Sequence, residues 1–177
     1  VGFFYFSGIR ELIDSLNANS DISLKILVGL NADTQNYGLV EYPEKAGKKR
    51  VERIEDYHTS VLKALNNDIF DNEIFYEQAV YILDQIISNR IIIRKTSKPN
   101  HAKLYLFKLK EYQVIRSNLF ITGSSNLSKA GLNDREEFNV EISDYGFEEA
   151  EKYFDELWNS AIPITDNEDE KNRLIYN

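Results

Sequence analysis

A histidine and a lysine lie one residue apart in the stretch KPNHAKLYLF. They are His101 and Lys103, and the apolar residues around them predict a β-strand. Side chains two residues apart in a strand project from the same face of the sheet. An imidazole and an ammonium group side by side are costly unless an anion lies above them. A phosphate group would meet that requirement.

A second set of small polar residues follows in the stretch ITGSSNLSKAGL. The apolar residues before it predict a strand that ends at Gly123, where a ligand can approach the backbone closely. Ser124 and Asn126 could then point into the same space as His101 and Lys103 and bond to an oxyanion. The alternative is a polar turn that caps a short helix, with the histidine an ordinary half-buried strand residue.

The basic residues of this acidic chain are concentrated around the histidine. The net charge is −8, yet residues 90–116 contain eight basic residues and one acidic residue, a local charge of +7. Such a segment favours a polyanionic partner, although lysines that protect a sheet edge are an equally good explanation. The expected substrate contacts are Arg94, Lys95 and Lys98 of this segment, together with Ser125.

The composition limits the chemistry. With 177 residues, 42% of them hydrophobic, the chain can bury one core. It contains no cysteine and two histidines, which excludes a disulfide framework and argues against a structural zinc site, so we expect no metal and no cofactor. No apolar run approaches the length of a bilayer span, and the opening residues do not read as a signal peptide. We therefore expect a soluble, cytoplasmic protein that makes no membrane contact.

The spacing of apolar residues predicts a layered α/β/α domain on a central mixed sheet. Strand, helix and strand at residues 1–6, 9–16 and 24–30 suggest a parallel pair with a right-handed crossover. After a loop at 31–49, the pattern predicts two helices, four strands and a last helix, at 50–65, 73–88, IIIRK, HAKLYLF, YQVIRSNLFITG, FNVEI and 147–158. We assign residues 1–160 to this domain. The acidic residues 161–177 read as a linker or the start of a further domain.

The order H-x-K, then G-S-x-N, then a glutamate before another strand resembles the signature of the phospholipase D superfamily. His101 and Lys103 match the first motif, residues 123–126 match the second, and Glu137 in REEFNVEI is the best match for the carboxylate. The resemblance is close over residues 94–142 and looser over the opening elements. It implies a phospholipase D-like fold.

The resemblance also implies a two-step, metal-independent hydrolysis of phosphodiesters. His101 would attack phosphorus and form a covalent phosphohistidine. Lys103, Ser124 and Asn126 would hold the non-bridging oxygens, and Glu137 would orient the imidazole. These five residues are the expected catalytic set.

One position departs from the family pattern. The family motif has an aspartate further along the first strand, where this chain has Lys108. That aspartate is a supporting group, so its absence weakens the phospholipase interpretation more than the nuclease interpretation. A rival hypothesis is a nucleic-acid-binding or dimerisation module in which the phosphate site survives and turnover is lost.

The number of histidines bears on assembly. A second histidine must protonate the leaving oxygen. The other histidine, His58, lies in a predicted helix and has no lysine two residues on. By family resemblance we therefore expect a homodimer with a composite active site on its twofold axis. A second motif beyond Asn177 is the alternative.

The expected substrate follows from the single motif and the basic segment. Single-motif members of the superfamily tend to be nucleases, and phosphate contacts supply most sequence-independent affinity for DNA. We predict a DNA nuclease, with RNA as the alternative nucleic acid and phospholipid as the third candidate substrate. The stretches SGIRELIDSL, KILVGLN and GSSNLSKAGL also resemble the nuclease-type domain of bacterial helicase-like or restriction-type proteins. This analogy predicts a fused helicase-like domain beyond Asn177.

Overall fold

The computed structural model describes residues 6–29, 73–98, 100–109, 118–127, 130–134, 136–143 and 145–176, with Glu52 and Glu55 as isolated helical residues. Five helices lie in these ranges: α1 (Phe6–Arg10), α2 (Ile13–Ala18), α3 (Glu73–Ile87), α4 (Phe147–Ser160) and α5 (Glu168–Tyr176). Six strands accompany them: β1 (Leu24–Val28), β2 (Ile91–Lys95), β3 (Leu104–Phe107), β4 (Leu119–Gly123), β5 (Asn139–Ile142) and β6 (Ile162–Pro163). A short π-helix covers Ala130–Asp134.

Strands β1, β2 and β6 form a mixed sheet. β1 and β2 are parallel, with Leu24 opposite Ile91 and Val28 opposite Lys95. β6 pairs antiparallel with the end of β2. Because β1 and β2 are parallel, both end at the same edge of the sheet, immediately before Gly29 and Thr96.

Strands β3, β4 and β5 form a second, wholly antiparallel sheet. Leu104 lies opposite Thr122, and Gly123 lies opposite Asn139. The start of β3, the end of β4 and the start of β5 therefore meet at one edge. The H-x-K motif, the G-S-x-N motif and the following glutamate all adjoin this edge.

The apolar core lies between the first sheet and helices α1, α2 and α3. Its buried side chains are Ile9, Leu16, Ile26, Val28, Ile82, Ile86, Ile91, Ile93, Leu127, Ile162 and Ile164. Full burial of one such side chain is worth about 1.5–3 kcal/mol. Tyr105 of β3 packs against this cluster, and Leu127 joins it from beyond β4, so the core anchors both sheets.

Arg90 holds the far end of the first sheet. Its Nε donates to the carbonyl oxygen of Ile22 at 2.7 Å, and its Nη2 donates to the carbonyl oxygen of Leu16 at 2.6 Å. Its Nη1 donates to Oε1 of Gln85 at 2.9 Å. The guanidinium thereby ties α2 and α3 to the start of β2, because its fixed fork of donors satisfies carbonyl groups beyond the helix ends.

The chain after α4 packs on the first sheet. Ile164 and Thr165 are 0% exposed. The backbone N–H of Ile93 donates to Oγ1 of Thr165 at 2.8 Å, and the Ile93 carbonyl oxygen accepts from the N–H of Ile164 at 3.2 Å. In α5, Lys171 is buried and bonds to Glu168. Residues 162–171 thus make contacts with the first sheet, in the segment for which the sequence suggested a linker or the start of a further domain.

The mixed α/β class predicted from the sequence is confirmed. The described strands form two three-stranded sheets, whereas a single central sheet was expected. The predicted strand at residues 1–6 lies outside the described residues except for Phe6, which begins α1. The loop at 31–49 and nearly all of the helix at 50–65 also lie outside them. In the described part of the chain, the parallel partner of β1 is β2.

None of the helices in the described ranges has the length and apolar character needed to cross a bilayer.

Candidate active site

The H-x-K motif lies immediately before β3 and not within it, because the regular strand begins at Leu104. The pairing with β4 nevertheless continues by one residue, since Oγ1 of Thr122 donates to the carbonyl oxygen of Lys103 at 3.0 Å. Lys103 therefore lies beside Gly123. The side chain of Lys103 is half-buried and that of His101 is exposed to solvent.

Asn100 fixes the backbone on either side of His101. Its N–H donates to the carbonyl oxygen of Gly29 at 3.2 Å, and its Oδ1 accepts from the N–H of Ala102 at 2.8 Å. Its Nδ2 donates to Oη of Tyr153 at 2.9 Å. These bonds connect the histidine segment to the end of β1 and to α4.

Gly29 is required by this arrangement. A Cβ atom on residue 29 would lie 1.8 Å from the carbonyl oxygen of Asn100, far inside van der Waals contact. Only glycine allows the two backbones to approach so closely. The end of β1 thus determines where the histidine segment can lie.

The G-S-x-N turn follows β4 and is held by β5. A Cβ atom on Gly123 would lie 2.2 Å from the carbonyl oxygen of Phe138 and 2.4 Å from Oδ1 of Asn139. The N–H of Ser124 donates to the same Phe138 carbonyl oxygen at 3.1 Å. Asn126 is half-buried, next to Leu127 of the core. The turn is therefore anchored at both of its ends.

Ser125 is the buried centre of the turn, with 3% of its surface exposed. Its N–H donates to Oδ1 of Asn139 at 3.4 Å, and its Oγ accepts from Nδ2 of Asn139 at 2.7 Å. Its carbonyl oxygen accepts from Oη of Tyr105 at 2.8 Å. Because it is buried and internally bonded, Ser125 is an anchor of the turn in this structure, and its expected contact with substrate stays a prediction.

Ser124 and Glu137 are brought into direct contact. Oγ of Ser124 donates to Oε2 of Glu137 and accepts from the N–H of Phe138 at 3.1 Å. A hydroxyl has one proton, so Ser124 cannot donate to a phosphate and to Glu137 at the same time. An incoming phosphate oxygen would therefore have to replace the Glu137 carboxylate as the acceptor of the Ser124 hydroxyl proton.

Tyr105 lies on the inner side of the same group of residues. Burial, and after it the negative charge of Glu137, together raise its pKa from 10.0 to about 12. The phenol therefore stays neutral over the ordinary pH range and remains a hydrogen-bond donor. Its hydroxyl donates to the carbonyl oxygen of Ser125 and is also subject to the negative charge of the Glu137 carboxylate.

Of the expected substrate contacts, Arg94 is half-buried and Lys95 is buried. Nε of Arg94 donates to Oδ2 of Asp166 at 2.8 Å, Nη1 donates to the carbonyl oxygen of Trp158 at 2.9 Å, and the guanidinium lies 4.6 Å from the centre of the indole ring. Lys95 is 0% exposed. The Arg94 guanidinium is thus engaged within the protein and Lys95 is buried, while the contact of both residues with substrate stays a prediction.

Other basic residues of the segment are also engaged within the protein. Arg90 bonds to the carbonyl oxygens described above, and Nζ of Lys108 lies 2.6 Å from Oε1 of Glu151. The last two basic residues of the segment lie outside the described ranges. Among the described residues, Lys98 and Lys103 are the cations of the segment nearest the histidine in sequence. The local charge of +7 therefore overstates the positive surface available to a polyanion.

Lys108, at the position of the family's aspartate, follows the opposite end of β3 from Lys103. The four residues of β3 span about 13 Å. The hydrogen bond and the negative charge of Glu151 raise the pKa of Lys108. The substituted position thus interacts with α4, away from the serine and glutamate of the site.

Sequence reasoning missed Asn100, Tyr105 and Asn139. Tyr105 belongs to the apolar pattern of its strand, which hid the role of its hydroxyl. Asn139 is a polar residue at the start of a strand, which was a usable signal. His58 lies outside the described residues. In the described part of the chain, no group of three or more acidic or histidine side chains is placed to hold a metal ion.

The fold and the ordered motifs define a member of the phospholipase D superfamily, a superfamily of phosphodiesterase-type enzymes. The sequence matches the family described as "Cardiolipin synthase, PLD-like domain" over residues 1–158, and the chain belongs to that family. The resemblance inferred from H-x-K and G-S-x-N is therefore confirmed. No curated protein matches the sequence.

Proposed function

We propose that this protein is a metal-independent phosphodiesterase that cleaves DNA through a phosphohistidine on His101. The observation that supports it best is the contact of Ser124 with Glu137 at the edge where Lys103 adjoins Gly123. Two separate segments contribute the hydroxyl and the carboxylate, and the backbone of Lys103 is bonded to the adjoining end of β4. Such a set suits the charge that develops on a phosphate during displacement.

Each residue has a defined task in this proposal. The imidazole of His101 attacks phosphorus, the bond from phosphorus to the leaving oxygen breaks, and a second histidine donates a proton to that oxygen. Water then attacks phosphorus while the second histidine accepts its proton, the P–N bond breaks, and the phosphate product leaves with the imidazole of His101 restored. Lys103 and Asn126 hold the non-bridging oxygens. Ser124 joins them when its hydroxyl donates to the phosphate in place of Glu137. Glu137 is then free to hold the imidazole in the reactive tautomer.

The second histidine comes from another copy of the chain in this proposal. One H-x-K motif is present, and His101 is exposed, which leaves it accessible to a partner. In a homodimer with the two motifs facing each other, one His101 would be the nucleophile and the other would be the general acid. A fused helicase-like domain beyond Asn177 is part of the same hypothesis and would deliver the DNA.

The available charge predicts how DNA would bind. With Lys98 and Lys103 as the phosphate contacts of each subunit, a dimer would neutralise about four phosphates. The slope of log K against log salt would then be about −3 for single-stranded DNA. A much steeper slope would place further contacts in the parts of the chain outside the described ranges.

A non-catalytic nucleic-acid-binding or dimerisation module is the second candidate. It is favoured by Lys108, which replaces the supporting aspartate of the motif and pairs with Glu151. The third candidate is a phospholipase, and hydrolysis of detergent-dispersed phospholipid would support it.

The decisive experiment compares wild type, His101→Ala and His58→Ala in excess EDTA on single- and double-stranded DNA. We expect His101→Ala to abolish cleavage and His58→Ala, the matched histidine control, to retain it. Labelled DNA should also leave an acid-labile phosphoryl group on wild type and none on His101→Ala. Equal activity of wild type and His101→Ala would refute the proposal. Salt-sensitive DNA binding without cleavage would favour the binding module.

A further inference from the structure

Ser125 connects the phosphate-facing turn to two residues outside the motif. The serine is buried, and its neighbours in sequence, Ser124 and Asn126, are the residues proposed to bond to phosphate. Its N–H, Oγ and carbonyl oxygen are all bonded, to Asn139 and Tyr105. The position of the turn is therefore set by these two side chains as well as by the backbone.

Tyr105 acts as a rigid support beneath the turn. Its ring packs against the apolar core, and its hydroxyl reaches the carbonyl oxygen of Ser125 at 2.8 Å. One residue thus connects the turn to the apolar core.

Asn139 holds the turn from the side. It lies opposite Gly123 in the β4–β5 pairing, and its amide makes two bonds to Ser125, at 2.7 Å and 3.4 Å. Because Gly123 has no side chain, the amide can lie close over the end of β4. The donor and acceptor of one amide group thereby fix both the backbone and the hydroxyl of Ser125.

We propose that Tyr105 and Asn139 are positioning residues that hold Ser124 and Asn126 in the geometry that binds a phosphate. The inference rests on the proposed function, since it assigns a purpose to the same turn. Small displacements of such donors reduce transition-state binding steeply, because preorganised hydrogen bonds depend on distance and angle. Neither residue is expected to touch the substrate.

The test uses Tyr105→Phe, Asn139→Ala and the double variant, with Tyr145→Phe as control. Tyr145 is an exposed tyrosine beyond the opposite end of β5. Binding of inorganic phosphate is measured by calorimetry, DNA cleavage by kcat and KM, and stability by thermal unfolding. We expect phosphate binding to weaken about fivefold in Tyr105→Phe and about tenfold or more in Asn139→Ala, from one and two lost hydrogen bonds. The double variant should fall short of the product, because both residues act through Ser125.

The outcomes separate this inference from the proposed function. If wild type binds phosphate without cutting DNA, the proposed function fails, and the phosphate affinities of the variants still decide the positioning roles. If the variants unfold at lower temperature while the folded protein keeps wild-type phosphate affinity and kcat/KM, the residues are merely structural and the inference is overturned. Failure of wild type to bind phosphate would overturn it as well.

Discussion

Replacing Gly29 with alanine tests whether the end of β1 sets the position of His101, the proposed nucleophile. The new Cβ atom would lie 1.8 Å from the carbonyl oxygen of Asn100, whereas ordinary contact begins at 3.4 Å. The histidine segment would have to retreat by about 1.6 Å, the difference between these distances. A displacement of about 1 Å at a reacting group can lower the rate about 100-fold. We therefore expect kcat/KM for DNA cleavage to fall by about that factor.

The stability cost of this substitution is of the same order as its effect on the rate, since a 100-fold loss of rate corresponds to about 2.7 kcal/mol. The bond from the N–H of Asn100 to the Gly29 carbonyl would be strained or lost, at about 1 kcal/mol. Overpacking adds about 1–3 kcal/mol. Urea unfolding would measure the sum of these two stability costs. The DNA cleavage assay in EDTA would measure the rate without urea, at a temperature where the variant is folded.

Val28→Ala is the matched control for Gly29→Ala. Val28 is buried in the core, and its truncation should also cost about 1–3 kcal/mol. It inserts nothing against Asn100, so the folded variant should cleave DNA at close to the wild-type rate. Wild-type activity in Gly29→Ala, or an equal loss of activity in both variants, would refute the positional argument.

Three further predictions concern charged and titrating groups. Arg94→Gln leaves Asp166 without its guanidinium partner, so the free energy of unfolding in urea should fall by about 2–3 kcal/mol. DNA affinity in a binding assay should be unchanged. A weaker affinity at equal stability would identify Arg94 as a substrate contact. Lys108→Ala removes the ion pair with Glu151, in which the Lys108 side chain is 70% exposed. The free energy of unfolding should therefore change by less than about 1 kcal/mol, and DNA cleavage should persist. A tenfold loss of rate would contradict this. The folded-state pKa of Tyr105 is raised from 10.0 to about 12, so the neutral phenol contributes stability that is complete below pH 10 and lost as the pH rises toward 12. The unfolding free energy of wild type should therefore fall relative to that of Tyr105→Phe by about 1–2 kcal/mol over this range, after allowance for partial exposure, and a constant difference would refute it.

The motif residues were predictable because their types and spacings are local. H-x-K and G-S-x-N identify the residues without any knowledge of the sheet, and the contact between Ser124 and Glu137 agrees with that grouping. The start of β3 was not predictable to the residue. It depends on where β4 pairs, and the Asn100 bonds hold the preceding residues in a separate segment.

The basic segment was misjudged because charge was considered without strand alternation. Ile91 and Ile93 are buried in β2, and Lys95 lies on the same face two residues on. The alternation therefore indicated an interior lysine. For Arg94 the deciding partner is Asp166, which lies in a segment whose acidic composition suggested a linker. Contacts between residues so distant in sequence cannot be read from local patterns.

The antiparallel addition of β6 to β2 affects where this domain can be shortened. The match to the family ends at residue 158. It therefore does not include Ile164 and Thr165, which bond to the backbone of Ile93. A version shortened to that boundary would expose an apolar strand edge, which recruits strands from other molecules. Its self-association would then report a damaged sheet and would say nothing about pairing of active sites. Measurements of subunit number require the residues through α5.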